Sequence, residues 1–171
     1  GQRMRPFSTS RLSKAAKAEL GIGKAEKVLA VGTEGASADM LVVATNRALY
    51  LQSTQERIRW DALSKATWAE PVLTLTLIDD TGQVVGERVV ELGRATDLPA
   101  AIHDRVTDSV IVSERADLGE GAAAMLVARR NSDADEIWWA VVFESGLDPK
   151  DPALITRAAN ELSQLRESLG I

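Results

Sequence analysis

There is no cysteine among the 171 residues and only one histidine, His103. The first absence excludes thiol nucleophiles, disulfides and cysteine-zinc sites, and it fits a reducing cytosol. The second excludes any mechanism that needs two imidazoles and leaves the usual metal sets short of ligands, so no metal or cofactor is expected. Aromatic residues make up only 4% of the chain, which gives each tryptophan a large share of the available core. Apolar runs are short, the longest lying near Trp138 to Phe143, whereas a membrane span needs about 20 consecutive apolar residues. No transmembrane segment is expected. No apolar stretch follows the basic residues of the N-terminus, so no secretory signal is expected either, and the chain reads as cytoplasmic, at most peripheral to a membrane.

What is present suffices for a core. Hydrophobic residues are 45% of the chain and charged residues 26%, the balance of one globular domain or two tightly packed lobes. A chain of this size buries roughly 70% of its unfolded surface without help from a disulfide or a metal.

Charge is uneven. Residues 1 to 27 hold seven basic side chains (Arg3, Arg5, Arg11, Lys14, Lys17, Lys24, Lys27) against Glu19 and Glu26, while the remainder is strongly acidic and the whole chain carries −5. A basic arm on an acidic body can seek an anionic lipid or nucleic acid, with Arg3, Arg5, Arg11, Lys14 and Lys17 as the contacts; the plainer reading is a solvated helix face.

Along the chain, residues 1 to 10 lack periodicity and read as a flexible tail. Ser10 as N-cap, Leu12, Ala16 and Leu20 on one stripe, and Gly21 at the C-cap predict a helix over 11–20. The period then changes to two. Strands are predicted at 27–31, 40–44, 48–51, 57–60, 64–68, 72–78 and 84–92, with Leu73, Leu75 and Leu77 pointing one way and Thr74 and Thr76 the other. Thr45-Asn46 and Thr81-Gly82 supply reversals through the tolerance of Asn and Gly for positive φ, and turns this short make the strands antiparallel. Asp97-Leu98-Pro99 opens a helix over 98–107, striped by Leu98, Ile102 and Val106. Strands over 109–116, 123–130 and 136–144 follow. Asp151-Pro152 opens a last amphipathic helix carrying Leu154, Ala158, Leu162, Leu165 and Leu169.

Short motifs have plain readings. Asp80-Thr81-Gly82 matches the aspartic-protease triplet but also a hairpin turn, and Gly21-Ile22-Gly23-Lys24 lacks the first glycine and the hydroxyl residue of a phosphate loop. His103 has no second ligand, and Asp104 with Asp108 would hold a hard cation only weakly. Trp60 and Trp68 are expected in the core. Around Trp138 the alternation puts Ile137, Trp139, Val141 and Phe143 on one side and Trp138, Ala140 and Val142 on the other. Both sides are apolar, so both need a cover. The last helix serves one; the first lobe or another chain serves the other.

Seven antiparallel strands followed by a helix is the order of the pleckstrin-homology (PH) barrel. Val43-Ala44-Thr45-Asn46-Arg47-Ala48-Leu49-Tyr50-Leu51, then Arg57-Ile58-Arg59-Trp60-Asp61-Ala62-Leu63, resembles the hairpin and following strand of bacterial PH-like and GRAM-like domains over residues 24–107. Together with Gly146 to Leu154 the chain is similar to uncharacterised actinobacterial PH-like proteins. The resemblance implies a fold and a habit of binding proteins or lipids, with no reaction attached. It does not extend to a phosphoinositide site, because the loop Gly32 to Asp39 holds two acids and no base.

The expectation is therefore an α+β protein in three parts: a flexible tail (1–10), an N-terminal helix plus PH-like β-barrel with capping helix (11–107), and a three-stranded antiparallel sheet with a C-terminal amphipathic helix packed on the barrel (108–171). Its expected function is a non-catalytic interaction module that binds a protein partner, a second copy included, through a sheet edge or the strand bearing Ile137, Trp138 and Val142. Peripheral binding of anionic lipid or nucleic acid through the basic segment is the alternative.

Overall fold

The computed structural model describes residues 12–36, 40–93 and 97–171. The predicted tail, with Arg3, Arg5, Ser10 and Arg11, lies outside these residues. Helix α1 (Lys14–Leu20) starts three residues later than predicted, with the Ser13 hydroxyl accepting from the Ala16 amide, and ends at Gly21 in the left-handed region.

Ten strands follow the alternation. β1 (Val28–Thr33), β2 (Leu41–Thr45), β3 (Ala48–Leu51) and β4 (Glu56–Arg59) form one antiparallel sheet in that order. A 3-10 turn at Trp60–Ala62 leads to a second sheet of β5 (Leu63–Ala69), β6 (Val72–Ile78) and β7 (Val84–Glu91). After helix α2 (Leu98–Asp108) a third sheet holds β8 (Val110–Gly119), β9 (Ala122–Arg130) and β10 (Ile137–Phe143) in the order β10-β9-β8, and helix α3 (Pro152–Leu169) closes the chain. The molecule is thus α+β with three antiparallel sheets and three helices among the described residues.

Among the described residues the expected closed barrel is not found. The first seven strands there form two separate sheets, meeting through the bridge of Glu34 with Leu92 and the flanking bonds from Gly35 N to Glu91 O and Gly93 N to Thr33 O. At the opposite margin the contact between β4 and β7 is made by side chains, Arg88 to Glu56 at 2.8 Å.

A single apolar cluster joins the two sheets. Leu49, Trp60, Leu63, Leu73 and Leu75 meet the α2 stripe Leu98, Ile102 and Val106 there, each large side chain contributing about 1.5–3 kcal/mol by leaving water. Trp68 packs at its margin. Gly32 lets α2 approach β1, since a Cβ there would sit 2.8 Å from a Leu98 methyl. Strands β2 and β3 are buried on both faces because Leu12, Leu20 and Ile22 cover Val43, Ala48 and Tyr50 from outside.

The β2–β3 reversal departs from expectation. Asn46 is not among the residues with positive φ; the Thr45 hydroxyl holds the turn instead, accepting from the amides of Arg47 and Ala48 at 3.1 Å. Asn46 clamps the start of β1, its Oδ1 accepting from Lys27 N at 2.7 Å. A bulge also interrupts β6 and β7, where Leu77 faces Gly86 but Ile78 faces Val84. The extra residue is Val85; Leu77 packs at the margin of the shared core, Ile78 is buried, and Val84 and Val85 are both exposed, at 64% and 63%.

In the third sheet, β9 is buried along almost its whole length. Ala122, Ala124 and Leu126 meet Leu154 and Ala158 of α3, with Val141 and Phe143 beside them. Asp151 caps α3 by accepting from Ala153 N at 2.9 Å. The opposite face of this sheet meets the 3-10 turn, the start of β5 and the β6–β7 turn.

Candidate functional site

The region where the third sheet meets the seven-stranded part holds the candidates Ile137, Trp138 and Val142 of β10. Its centre is Asp61, placed by the 3-10 turn after β4 with its side chain fully buried. Four groups donate to this carboxylate. Arg59 Nε and Nη2 reach it at 3.2 and 2.9 Å, Ser132 N at 3.2 Å, and the Trp138 indole Nε1 at 2.9 Å. The Ser132 hydroxyl donates to the Arg47 carbonyl at 2.6 Å. Buried on the same side, Arg129 Nη1 donates to the Leu63 carbonyl at 3.2 Å. Burial pushes its guanidinium down from the ordinary arginine value, and the negative charge of Asp61 opposes that.

A second polar chain runs beside this one. Tyr50 donates its hydroxyl to Glu26, Arg57 Nε donates to the Tyr50 oxygen at 2.8 Å, and Arg57 holds Asp133 with two bonds of 2.8 Å. The guanidinium also lies over the Tyr50 ring, 5.6 Å from its centroid. The paired hydrogen bonds from Arg57 hold the Asp133 carboxyl below its usual value, and Asp133 in turn raises Arg57. For Glu26, burial pushes upward, but the bonds from Tyr50, Thr45 and Gly23 and the charge of Arg57 bring it below the ordinary glutamate value. Burial, then the Glu26 bond, pushes the Tyr50 phenol up to about 12.

The β6–β7 turn completes the contact. Asp79 Oδ1 accepts from Thr81 N, the Thr81 hydroxyl and Gln83 N, which fixes the predicted turn over Asp80-Thr81-Gly82. Gly82 has φ of +85°, and a Cβ on it would lie 2.4 Å from the Ala140 Cβ, so only glycine brings this turn onto β10. Gln83 Nε2 then donates to the Val141 carbonyl at 3.2 Å.

These contacts fix the two rows of β10. Trp138, Ala140 and Val142 face the seven-stranded part, whereas Val141 and Phe143 face α3. Trp138 and Val142 are half-buried; Ile137 is 37% exposed at the end of the strand. The Trp139 indole nitrogen is buried with no acceptor among the described residues. Of the basic candidates, Lys14 and Lys17 stand on α1, remote in the chain from this region, and Arg3, Arg5 and Arg11 lie outside the described residues. Sequence reasoning missed Asp61 and Arg129.

Two clefts flank the Asp61 contact. One, of about 300 Å3, has apolar walls from Ala62, Ile78, Ile137 and Trp138, with Arg59, Asp61, Asp79, Asp80, Asn131 and Glu136 around them. The other, of about 230 Å3, lies over Trp60 and carries Arg47, Arg105 and Arg130 with Asp108, Asp133 and Asp135. Its charges pair internally, Arg105 with Asp108 and Arg130 with Asp135. His103 is exposed on α2, 3.8 Å from Asp104. Among the described residues no three His, Asp or Glu side chains are grouped to hold a metal ion, and no helix is long and apolar enough to cross a membrane.

Comparison with protein-family models, curated proteins and solved structures returns no match.

Proposed function

We propose that this chain is a non-catalytic protein-interaction module of PH-like build, holding a protein partner along the β6–β7 turn, the adjoining edge of β7 and the N-terminal end of β10. The division into four strands, then three, then a helix over one shared core supports the PH-like part of the reading. The observation that carries the partner is the cleft walled by Ile78, Ile137 and Trp138. The turn that brings Asp79 and Asp80 to this cleft leads directly into the edge strand β7, on which Val84, Val85 and Val89 are each exposed by more than 60%. Exposed apolar side chains on a strand edge fit an interaction site, and such an edge can add a partner's extended segment. Arg88 caps part of that edge by donating to the Glu87 carbonyl at 3.0 Å, which guards against pairing with arbitrary strands. The polar groups of the seam support a scaffold role too, since Asp61 and the Ser132 hydroxyl are already occupied as clamps.

A photo-crosslinking residue placed at Ile137 or at Val85 of the full chain, activated in the cell of origin, tests this. Discrete protein adducts at both positions and none at Lys14 are expected. Adducts to lipid or nucleic acid at Lys14, with none at the other two positions, would replace this reading by the anionic-partner one.

A further inference from the structure

We infer that the cleft beside Trp138 receives a lysine or arginine side chain presented by an extended apolar segment of the partner. The inference rests on the protein-interaction reading above and names the chemistry of the occupant.

The shape comes first. At about 300 Å3 the cleft is at the small end of ligand pockets, roughly 300–1,000 Å3, so it suits one long side chain better than a cofactor. Its walls are the Trp138 ring, Ile137, Ile78 and Ala62, a surface for a methylene stem. An aliphatic side chain would satisfy those walls, so charge decides the head group.

The one base lining the cleft, Arg59, is held by Asp61 at 2.9 Å, and that carboxylate is fully buried. The other three ionisable side chains of the lining are Asp79, Asp80 and Glu136, all acidic. None of them takes part in an ion pair among the described residues. Asp79 and Asp80 stand on the β6–β7 turn and Glu136 immediately before β10, so both parts of the chain that line the cleft contribute acids. A cation entering between these residues gains from the acidic lining, while an anion is repelled by it. The second cleft makes the contrast: each of its three aspartates is paired with an arginine, Asp108 with Arg105, Asp135 with Arg130 and Asp133 with Arg57, so it offers a cation no unpaired acid. Val84 and Val85, exposed at the start of β7, follow directly on the turn that bears Asp79 and Asp80, which accounts for the apolar neighbours required of the incoming basic residue.

The test is fluorescence anisotropy of the full chain with a fluorescein-labelled peptide GTVRVTG, beside the same peptide with glutamine or glutamate in place of arginine. Saturable binding of the arginine peptide is expected, weakened by salt, and roughly tenfold weaker for the glutamine peptide. In the double variant Asp80→Lys/Glu136→Lys, both positions being exposed, the preference should reverse toward the glutamate peptide while the urea midpoint stays in place. Equal affinity for the three peptides, or an unchanged order in the double variant, overturns the inference. Failure of the arginine peptide to bind also overturns it. The crosslinks from Ile137 report separately on whether a protein partner is held at all.

Discussion

The Trp138 indole donates at 2.9 Å to the carboxylate of Asp61, a residue 77 positions earlier in the chain. A hydrogen bond that spans so much sequence closes two parts of the molecule on each other, and because Asp61 has no solvent exposure its loss cannot be made good by water. Replacing Asp61 with alanine strands the partly buried Trp138 and Ser132 donors and leaves Arg59 without its carboxylate. We expect a loss of about 3 kcal/mol in urea unfolding, with the change in tryptophan fluorescence preceding loss of far-ultraviolet circular dichroism as the third sheet loosens first.

The two adjacent tryptophans should respond in opposite ways to the same substitution. Trp138→Phe keeps a ring but deletes the donor to Asp61 and should cost about 1–2 kcal/mol. Trp139→Phe removes an indole N–H that is buried with no acceptor among the described residues, so stability should be unchanged or should rise by up to about 1 kcal/mol. Thermal melts of the two single variants decide it.

Gly82→Ala adds a methyl where φ is +85° and the Ala140 Cβ would be 2.4 Å away. The left-handed backbone alone costs about 1–2 kcal/mol for a non-glycine residue, and the clash adds to it. Ala140→Gly relieves only the clash. In the double variant a partial recovery, smaller than the full loss, is the expected outcome of a double-mutant cycle by denaturant unfolding.

Tyr50 is the only tyrosine in the chain, so absorbance at high pH reports on it alone. Its folded value of about 12 lies above the ordinary value of 10.0. The stabilisation tied to it is therefore complete below about pH 10 and lost as pH rises through about 12. Phenolate absorbance should be absent at pH 10.5 in the native protein and appear on adding urea at the same pH. Glu26→Gln, which removes the charge that Tyr50 donates to, should lower the native midpoint.

The acid limb has the reverse sign. Glu26, Glu56 and Asp133 all lie below their ordinary values in the folded chain, the last two because of Arg88 and Arg57. Their stabilisation is complete above the ordinary carboxylate range and lost as pH falls through the lowered folded values. Unfolding midpoints measured between pH 6 and pH 2 should decline, and the decline should be shallower in Arg57→Gln.

Much of the architecture was legible because it repeats locally. Alternation in Val72–Ile78 and in Ala48–Leu51 delimits those strands to the residue, and the leucine stripe after Asp151 delimits α3. The two apolar rows of the strand at Trp138 showed that both its faces need covers, and the structure supplies both from this chain. What the sequence hid is contact between distant residues. Asp61 in Trp-Asp-Ala-Leu reads as an ordinary turn acid, and nothing nearby announces donors at positions 132 and 138. Arg129 ends an apolar strand and reads as solvated, yet the covering sheets bury it against the Leu63 carbonyl. The bulge at Val85 escaped for a related reason: an unbroken run of strand-forming residues carries no mark of the extra one.

The clamp on Asp61 has one more consequence. The hollow next to Trp138 takes its floor from one half of the molecule and its far wall from the other, so it exists only while those halves stay shut. By mass action, whatever lodges there must lend its own free energy to keeping them together, and loosening the clamp must weaken the guest by the same factor. Capture and cohesion in this protein are then a single equilibrium viewed from two sides.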